Sequence, residues 1–563
     1  MISFPGMVLT EERAKSYLGQ NIWTDESFVD VLQSDVEQYP HHLHKDEQRS
    51  LTYEQLWQEV NSTAASLYQL GVRKGDKVAI QLPNCLDYVV AVFAVARIGA
   101  VAVLLQTDMG RQALHYSLSK AEVSVWIGLE SFRGEPVYET VKSIQADLQR
   151  LNHLVVQGHS TAVPADVLRF EQLRSTHLQL SKDDLNANQP TALDPFIMVF
   201  TSGTTGSPKG VVQLHANYLW ASRAYANVFG YQPGEATLDI APICHQTGML
   251  AGIMMPIATG GRIFLLDRFS APRLLKWVAQ ERPTYIVGAP PHVIHVANAP
   301  GLTDTDTSSV KLFIYAGAPV PSAILQRLQE DTGITVGAMF GWTEGFLATS
   351  TRPDDPIEAI SGTVGFAIPG TEVKLVDEDG NEVPQGTPGE MWSRGPNFSA
   401  GYYHNAEAAA RQWDADLWFH SGDLLRQDES GRYIFMGRAD DIINRGGTKI
   451  DPKAVEDACA LHPSIENVAV VGAPDETLGQ QTVACIVLRE GAQPFQASEL
   501  RDFLGQHGLA KFQFPDKLVF FDALPLTHSG KIKKKDLRQQ LQDEQLRGRK
   551  REPRPTATTT EES

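Results

Sequence analysis

Between Asp194 and Glu344 short apolar runs alternate with helical patterns, and this alternation leaves few folds open. The runs are Pro195–Phe200, Thr237–Ile243, Arg262–Leu266, Thr284–Val287, Leu312–Tyr315 and Thr335–Phe340. Between them, stretches such as Ala271–Glu281 and Pro321–Glu330 carry Leu and Ile at helical spacing. Strand and helix in alternation predict a mostly parallel sheet covered by helices. Four runs lead into glycine-rich or polar loops: TSGTTGSPKG after Phe200, Gly288-Ala289-Pro290, Gly317-Ala318-Pro319, and Gly341-Trp342-Thr343-Glu344. Ligands of open α/β sheets bind beyond the carboxyl ends of strands, so these loops are expected to converge on one crevice.

The remaining chain divides by texture. A length of 563 residues suggests three to four folding units. Residues 1–439 are expected to form a large N-terminal domain, with a β-rich subdomain from about 362. That subdomain is read from the short strands Glu372–Glu378, Gly389–Ser393 and Tyr433–Phe435. Residues 440–545 predict a small, mobile α+β domain, and residues 546–563 a disordered tail without apolar period. The greasiest stretch, Tyr88–Leu105, contains Arg97 and Gly99, so it predicts a buried helix Asn84–Arg97 and a strand Ala100–Leu105, not a membrane span. The N-terminus has no signal-peptide pattern. Four cysteines without C-x-x-C spacing predict reduced thiols in a cytoplasmic protein. A net charge of −18 argues against nucleic acid as a partner.

The sharpest chemical signal is Thr201-Ser202-Gly203-Thr204-Thr205-Gly206-Ser207-Pro208-Lys209-Gly210, placed directly after a buried strand. Glycines let backbone N–H groups approach an anion, hydroxyls add donors, and Lys209 adds a cation. The pattern predicts a phosphate cradle. It is not a Walker A loop, because G-x-x-x-x-G-K-[ST] is missing.

TSGTTGSPKG resembles the signature of the adenylate-forming superfamily, which holds acyl-CoA synthetases and aryl-acid and amino-acid adenylation domains. Further landmarks follow in order. Phe340-Gly341-Trp342-Thr343-Glu344 resembles its aromatic-G-x-T-E element, and Ser421-Gly422-Asp423 its T-G-D. Gly437-Arg438-Ala439-Asp440-Asp441 with Gly447, Ile450 and Pro452 resembles G-R-x-D-D…G-x-x-I-x-P. Leu526 to Ile532 resembles T-x-x-G-K-I. The resemblance runs from about Leu51 to Leu537. Ser421 for Thr, Phe340 for Tyr and Ala454 for Glu are departures from the pattern.

The resemblance implies ATP, Mg²⁺ and coenzyme A as reactants. It implies that the cradle residues Thr201, Ser202, Gly203, Thr204, Thr205, Gly206 and Lys209 bind the phosphates, with Glu344 and Thr201 holding the metal. Thr343 contacts the α-phosphate. Gly317, Ala318, Pro319 and Phe340 line the adenine slot, Gly341 and Trp342 also bind ATP, Asp423 binds the ribose hydroxyls, and Arg438 supports the ribose. Lys531 bridges the acid and the α-phosphate. His245, Gln246, Gly248 and Gly288 line the acyl pocket. Asp440 is the implied hinge of a rotating C-terminal domain, and Gly446-Gly447 the passage for a thiol arm.

An uncharged Gln246 argues against an amino acid, and Met249–Met255 is apolar and adaptable. The expected substrate is a fatty, alicyclic or aryl acid. The leading reading is an acid–CoA ligase forming AMP. A stand-alone aryl-acid adenylating enzyme that loads a carrier protein remains the alternative. Cys244 beside His245 is not read as a nucleophile, since adjacent strand residues point to opposite faces. A catalytically dead nucleotide-binding protein is disfavoured by Lys209, Glu344, Asp423, Arg438 and Lys531 occurring together.

Overall fold

The computed structural model describes residues 3–158, 164, 167–176, 178–201, 208–446, 448–475, 477–507, 509–526 and 532–549. The chain forms two compact units. The first comprises Met1–Lys374, Trp392–His420 and Asp428–Ile434; the second comprises Leu375–Met391, Ser421–Gln427 and Phe435–Ser563. The chain passes between the units inside the strands Glu372–Val376, Gly389–Arg394, Phe419–Gln427 and Tyr433–Arg438.

The first unit holds two large sheets. In the nine-stranded sheet, Thr335–Phe340, Leu312–Ala316, Tyr285–Gly288, Ala236–Asp239, Arg262–Leu265 and Leu43–Lys45 are neighbours in that order, all parallel. In the eight-stranded sheet, Pro195–Thr201, Val101–Leu104, Lys77–Gln81, Val125–Leu129 and His153–Gln157 run parallel. The expected α/β architecture of helix-covered, mostly parallel sheets is thus present, and it is built twice.

Strand alternation separates the faces. Val78 and Ile80 join one apolar cluster, which also takes Ile263, Leu265 and Val287 of the other sheet. Ala79 and Met198 face a second cluster, and Leu238, Ile286 and Phe313 a third. The shared cluster contains the helices Phe28–Gln38, Tyr53–Gln69, Leu86–Arg97 and His215–Phe229. Between Asp87 and Arg97 every residue of Leu86–Arg97 is buried in the cluster that the two sheets share, so this stretch is apolar all round. Among the described residues no helix is long and apolar enough to cross a membrane.

In the second unit, Thr448–Ile450, Ile443–Arg445, Gly479–Leu488, Ile465–Asp475 and Lys517–Phe520 form a five-stranded sheet. The helices Pro452–Ala460 and Ala497–Gln506 pack on it through Val455, Leu500 and Leu504. The last helix, Lys534–Arg549, runs into the segment expected to be a tail. Its Lys, Arg, Gln and Glu residues are good helix formers, so it needs no strong apolar period there.

Candidate active site

The phosphate loop joins two antiparallel strands, Pro195–Thr201 and Lys209–Leu214, and Thr201 pairs with Lys209. Ser202, Gly203, Thr204, Thr205, Gly206 and Ser207 lie outside the described residues. Both anchors are visible. Lys209 is buried; its Nζ lies 4.9 Å from the centre of the Tyr402 ring and donates to Gln412 Oε1 at 3.3 Å.

Tyr402 also reaches the second motif. Its hydroxyl donates to Glu344 Oε1 at 2.6 Å. Burial, then the nearby Glu344 charge, pushes the phenol far above its ordinary value, so Tyr402 is the donor and Glu344 the acceptor. The turn that carries Glu344 is held from several sides. Thr343 O accepts from Gln213 Nε2 at 2.6 Å, and Glu344 O accepts from Ser399 N at 2.7 Å. Trp342 packs against Phe340 at 5.4 Å and Phe419 at 5.2 Å. A Cβ on Gly341 would lie 1.9 Å from Phe346 O, so only glycine fits this turn.

Gly288, Gly317-Ala318-Pro319 and Phe340-Gly341 follow neighbouring parallel strands, with Gly288 opposite Tyr315 and Ala316 opposite Met339. They therefore share one carboxyl edge of the nine-stranded sheet. The phosphate loop belongs to the other sheet, a separation that alternation along the chain does not reveal. Gly317-Ala318-Pro319 is exposed.

The acyl arm differs from its expected form. The strand ends at Asp239 and does not continue to Ile243. Pro242 lacks an N–H for a ladder, and side chains take over the pairing. Asp239 Oδ1 accepts from Ala241 N at 2.9 Å. Asn84 donates to Ala241 O at 2.8 Å and accepts from Ile243 N at 3.1 Å. The arm then presents His245 to Gln106, with 3.3 Å between their Nε2 atoms, and Gln246 Oε1 accepts from Tyr218 Oη at 2.5 Å. A π-helix follows at Gly248–Met254, fully buried. A Cβ on Gly248 would meet Pro242 O at 2.7 Å, which gives this glycine a packing requirement of its own. Burial pushes the Cys244 thiol up to about 12, so it is a neutral thiol and not a nucleophile.

Asp239 is fully buried, and burial raises its carboxyl well above the ordinary carboxylate value. The folded chain therefore keeps a proton that the unfolded chain loses above about pH 4. Its cost to stability is absent below that pH and grows as pH rises toward the folded value. Asp239→Asn is expected to raise the melting temperature at pH 7.5 and to change it little near pH 4. A gain independent of pH in thermal unfolding scans would contradict this.

In the second unit Asp423 sits in the strand Phe419–Gln427, 5% exposed, where Ser-Gly-Asp read alone suggests an exposed turn. Gly422 at φ +70° supplies the irregularity. Arg438 Nε lies 3.2 Å from Asp423 Oδ1, and its Nη2 donates to Ser421 O at 3.0 Å. Ser421 Oγ accepts from Asp423 N at 3.0 Å. Asp440 lies in the 3-10 turn Ala439–Asp441, and Gly446 has φ +59°. Gly447 and Lys531 lie outside the described residues.

The profile of AMP-binding enzymes matches residues 32–403, and that of their C-terminal domain matches residues 454–531. The chain belongs to the AMP-binding enzyme family. A medium-chain fatty-acid–CoA ligase of Escherichia coli is 32% identical over 95% of this chain and 94% of its own. Pyochelin synthase PchD of Pseudomonas aeruginosa is 31% identical over 94% and 95%. A crystal structure of an anthranilate–CoA ligase with anthranoyl-AMP superposes with TM-score 0.82 at 26% identity, over 93% of this chain and 98% of that one.

Within this AMP-binding enzyme, sequence reasoning missed Tyr402, Gln213, Asn84, Gln106 and Tyr218. Each touches a motif from a distant part of the chain. The available signal was a polar residue ending an apolar run, as Gln106 ends Val101-Ala102-Val103-Leu104-Leu105.

Proposed function

We propose that this enzyme joins a carboxylic acid to the α-phosphate of ATP, releasing pyrophosphate, and then passes the acyl group to the thiol of coenzyme A, releasing AMP. The observation that carries the reading is Tyr402 coupling the Lys209 ammonium to the Glu344 carboxylate. Two anions must be joined, so a cation beside the phosphate loop and a positioned carboxylate for a metal supply what the barrier demands. One carboxylate and the Thr201 hydroxyl suit Mg²⁺, which binds through one or two carboxylates and substrate phosphates. Among the described residues no cluster of three or more His, Cys, Asp or Glu forms a protein-only metal cage, in keeping with that mode. When bound, Mg²⁺ neutralises phosphate charge. Asp423, paired with Arg438, suits the two ribose hydroxyls. The test is nucleotide analysis: acid-dependent, Mg²⁺-dependent AMP is expected, and ADP as product would overturn the assignment.

The acid is proposed to be fatty, alicyclic or aryl. The Met249 and Met254 side chains are fully buried beside an arm whose Gln246 is neutral. A neutral amide cannot compensate an ammonium in a dry site. Common amino acids should support pyrophosphate exchange far less than fatty or aryl acids, and the reverse order in an acid panel would refute this. Similarity to PchD and to a 2,3-dihydroxybenzoate–AMP ligase of Bacillus subtilis, 27% identical, favours a second reading in which a carrier protein is the acceptor. Thioester formation with free coenzyme A separates the two.

Asp440 is proposed as the pivot between the two half-reactions, separating residues 1–439 from 440–545. Asp440→Pro fixes φ near −65° and should depress one half-reaction far more than the other. Equal loss in a folded variant would count against a pivot there.

A further inference from the structure

Gln106 follows the strand Val101–Leu104, and its main chain is pinned from below. Trp126 Nε1 donates to Gln81 Oε1 at 2.9 Å, and Gln81 Nε2 donates to Gln106 O at 2.8 Å. Trp126 and Gln81 are both fully buried. An indole N–H can only donate, so it fixes which end of the Gln81 amide faces it, and the other end must donate to Gln106. The relay rises across the adjacent parallel strands Val125–Leu129, Lys77–Gln81 and Val101–Leu104. At its end the Gln106 amide nitrogen meets His245 Nε2 at 3.3 Å. Here the eight-stranded sheet touches the arm that leaves the nine-stranded one.

In this orientation of the Gln106 amide its nitrogen can only donate, so His245 Nε2 is the acceptor. We infer that Gln106 is a positioning residue that holds His245 neutral, with its proton on Nδ1. This rests on the reading of His245 as part of the acyl site. Protonating Nε2 would set N–H against N–H and forfeit the bond, so Gln106 favours the neutral ring. A neutral ring does not capture the incoming carboxylate as an ion pair, which would stabilise the ground state and blunt the nucleophile. On the neighbouring arm and helices, Cys244, Cys85, Tyr88, Tyr218 and Asp239 are kept neutral by burial, and Asp108 acts on Cys244.

The test uses the full chain with ¹⁵N-labelled histidine, and assigns the His245 signals by their loss in His245→Asn. Long-range ¹H–¹⁵N correlation at pH 7.5 should show a protonated Nδ1 and a bare Nε2. Gln106→Leu should transfer the proton to Nε2 and raise the titration midpoint. Gln106→Glu should raise it further, by roughly one to two pH units, and carry the acidic limb of pyrophosphate exchange with it. Gln106→Met, closer in shape, replaces Leu if that variant does not fold. A proton on Nε2 in the wild type overturns the inference, as does an unchanged tautomer and midpoint in the apolar variant. Absence of exchange activity would sink the ligase reading alone, because the tautomer is read without turnover.

Discussion

Lys531→Ala is expected to lower adenylation by ~10²–10³ while thioester formation from a supplied acyl adenylate survives. In the adenylation transition state, the attacking carboxylate oxygen and the α-phosphate oxygens share excess negative charge. A placed ammonium in a water-excluded site stabilises that charge as it develops. On the two-posture reading, Lys531 has rotated away when the thiol attacks, so its loss matters little there. Lys531→Arg should rescue poorly, because a planar fork is wider than an ammonium and holds its charge elsewhere. The neighbouring lysines provide controls. Lys534 pairs with the part-buried Glu456 at 2.7 Å, so its removal tests folding. Lys533 lies 4.0 Å from exposed Asp536, so Lys533→Ala should leave both half-reactions intact. Two assays on each variant decide the matter: pyrophosphate exchange, and coenzyme A thioester yield from synthetic adenylate. Comparable loss of both in Lys531→Ala would make the residue structural or remove the rotation.

The sequence shows most plainly what period and composition control. The runs ending at Phe200, Tyr315 and Phe340 became strands with at least one parallel neighbour each, because β-branched and aromatic residues buried on both faces have few other uses. Leu86–Arg97 was legible as a buried helix for the same reason, although nothing in it says that two sheets share it. Local irregularity was harder to read. Ser421-Gly422-Asp423 has turn composition, yet it lies inside a nine-residue strand, because Gly422 at φ +70° bends the strand without ending it. Within the π-helix Gly248–Met254 a Cβ on Gly252 would fall 2.1 Å from Asp239 Oδ2, a packing constraint set by a distant strand and invisible in the local sequence. Long-range partners were least legible. Tyr402 carries no motif, and only the pairing of Gly401–Tyr402 with Lys209–Leu214 brings it to Lys209 and Glu344.

That placement yields the second large effect. Glu344→Gln should cut adenylation by ~10²–10³, and should raise the Mg²⁺ concentration needed for half-maximal rate. The substitution keeps the shape and keeps an oxygen that can accept from Tyr402, so folding should survive. It removes the negative charge through which Glu344 would meet a cation among phosphates. Tyr402→Phe separates charge from position. It preserves the Glu344 carboxylate and the aromatic face beneath Lys209 Nζ, and it deletes the hydroxyl that pins Oε1 at 2.6 Å. A charge-assisted hydrogen bond of this kind contributes about 1.5–3 kcal/mol, so a loss of roughly 10- to 100-fold is expected, with the Mg²⁺ requirement nearly unchanged. The two variants should be far from additive when combined, because the hydroxyl acts through the carboxylate. If Glu344→Gln costs only a few-fold and leaves the Mg²⁺ dependence intact, Glu344 is an anchor for the buried phenol, and the metal must be held by other groups.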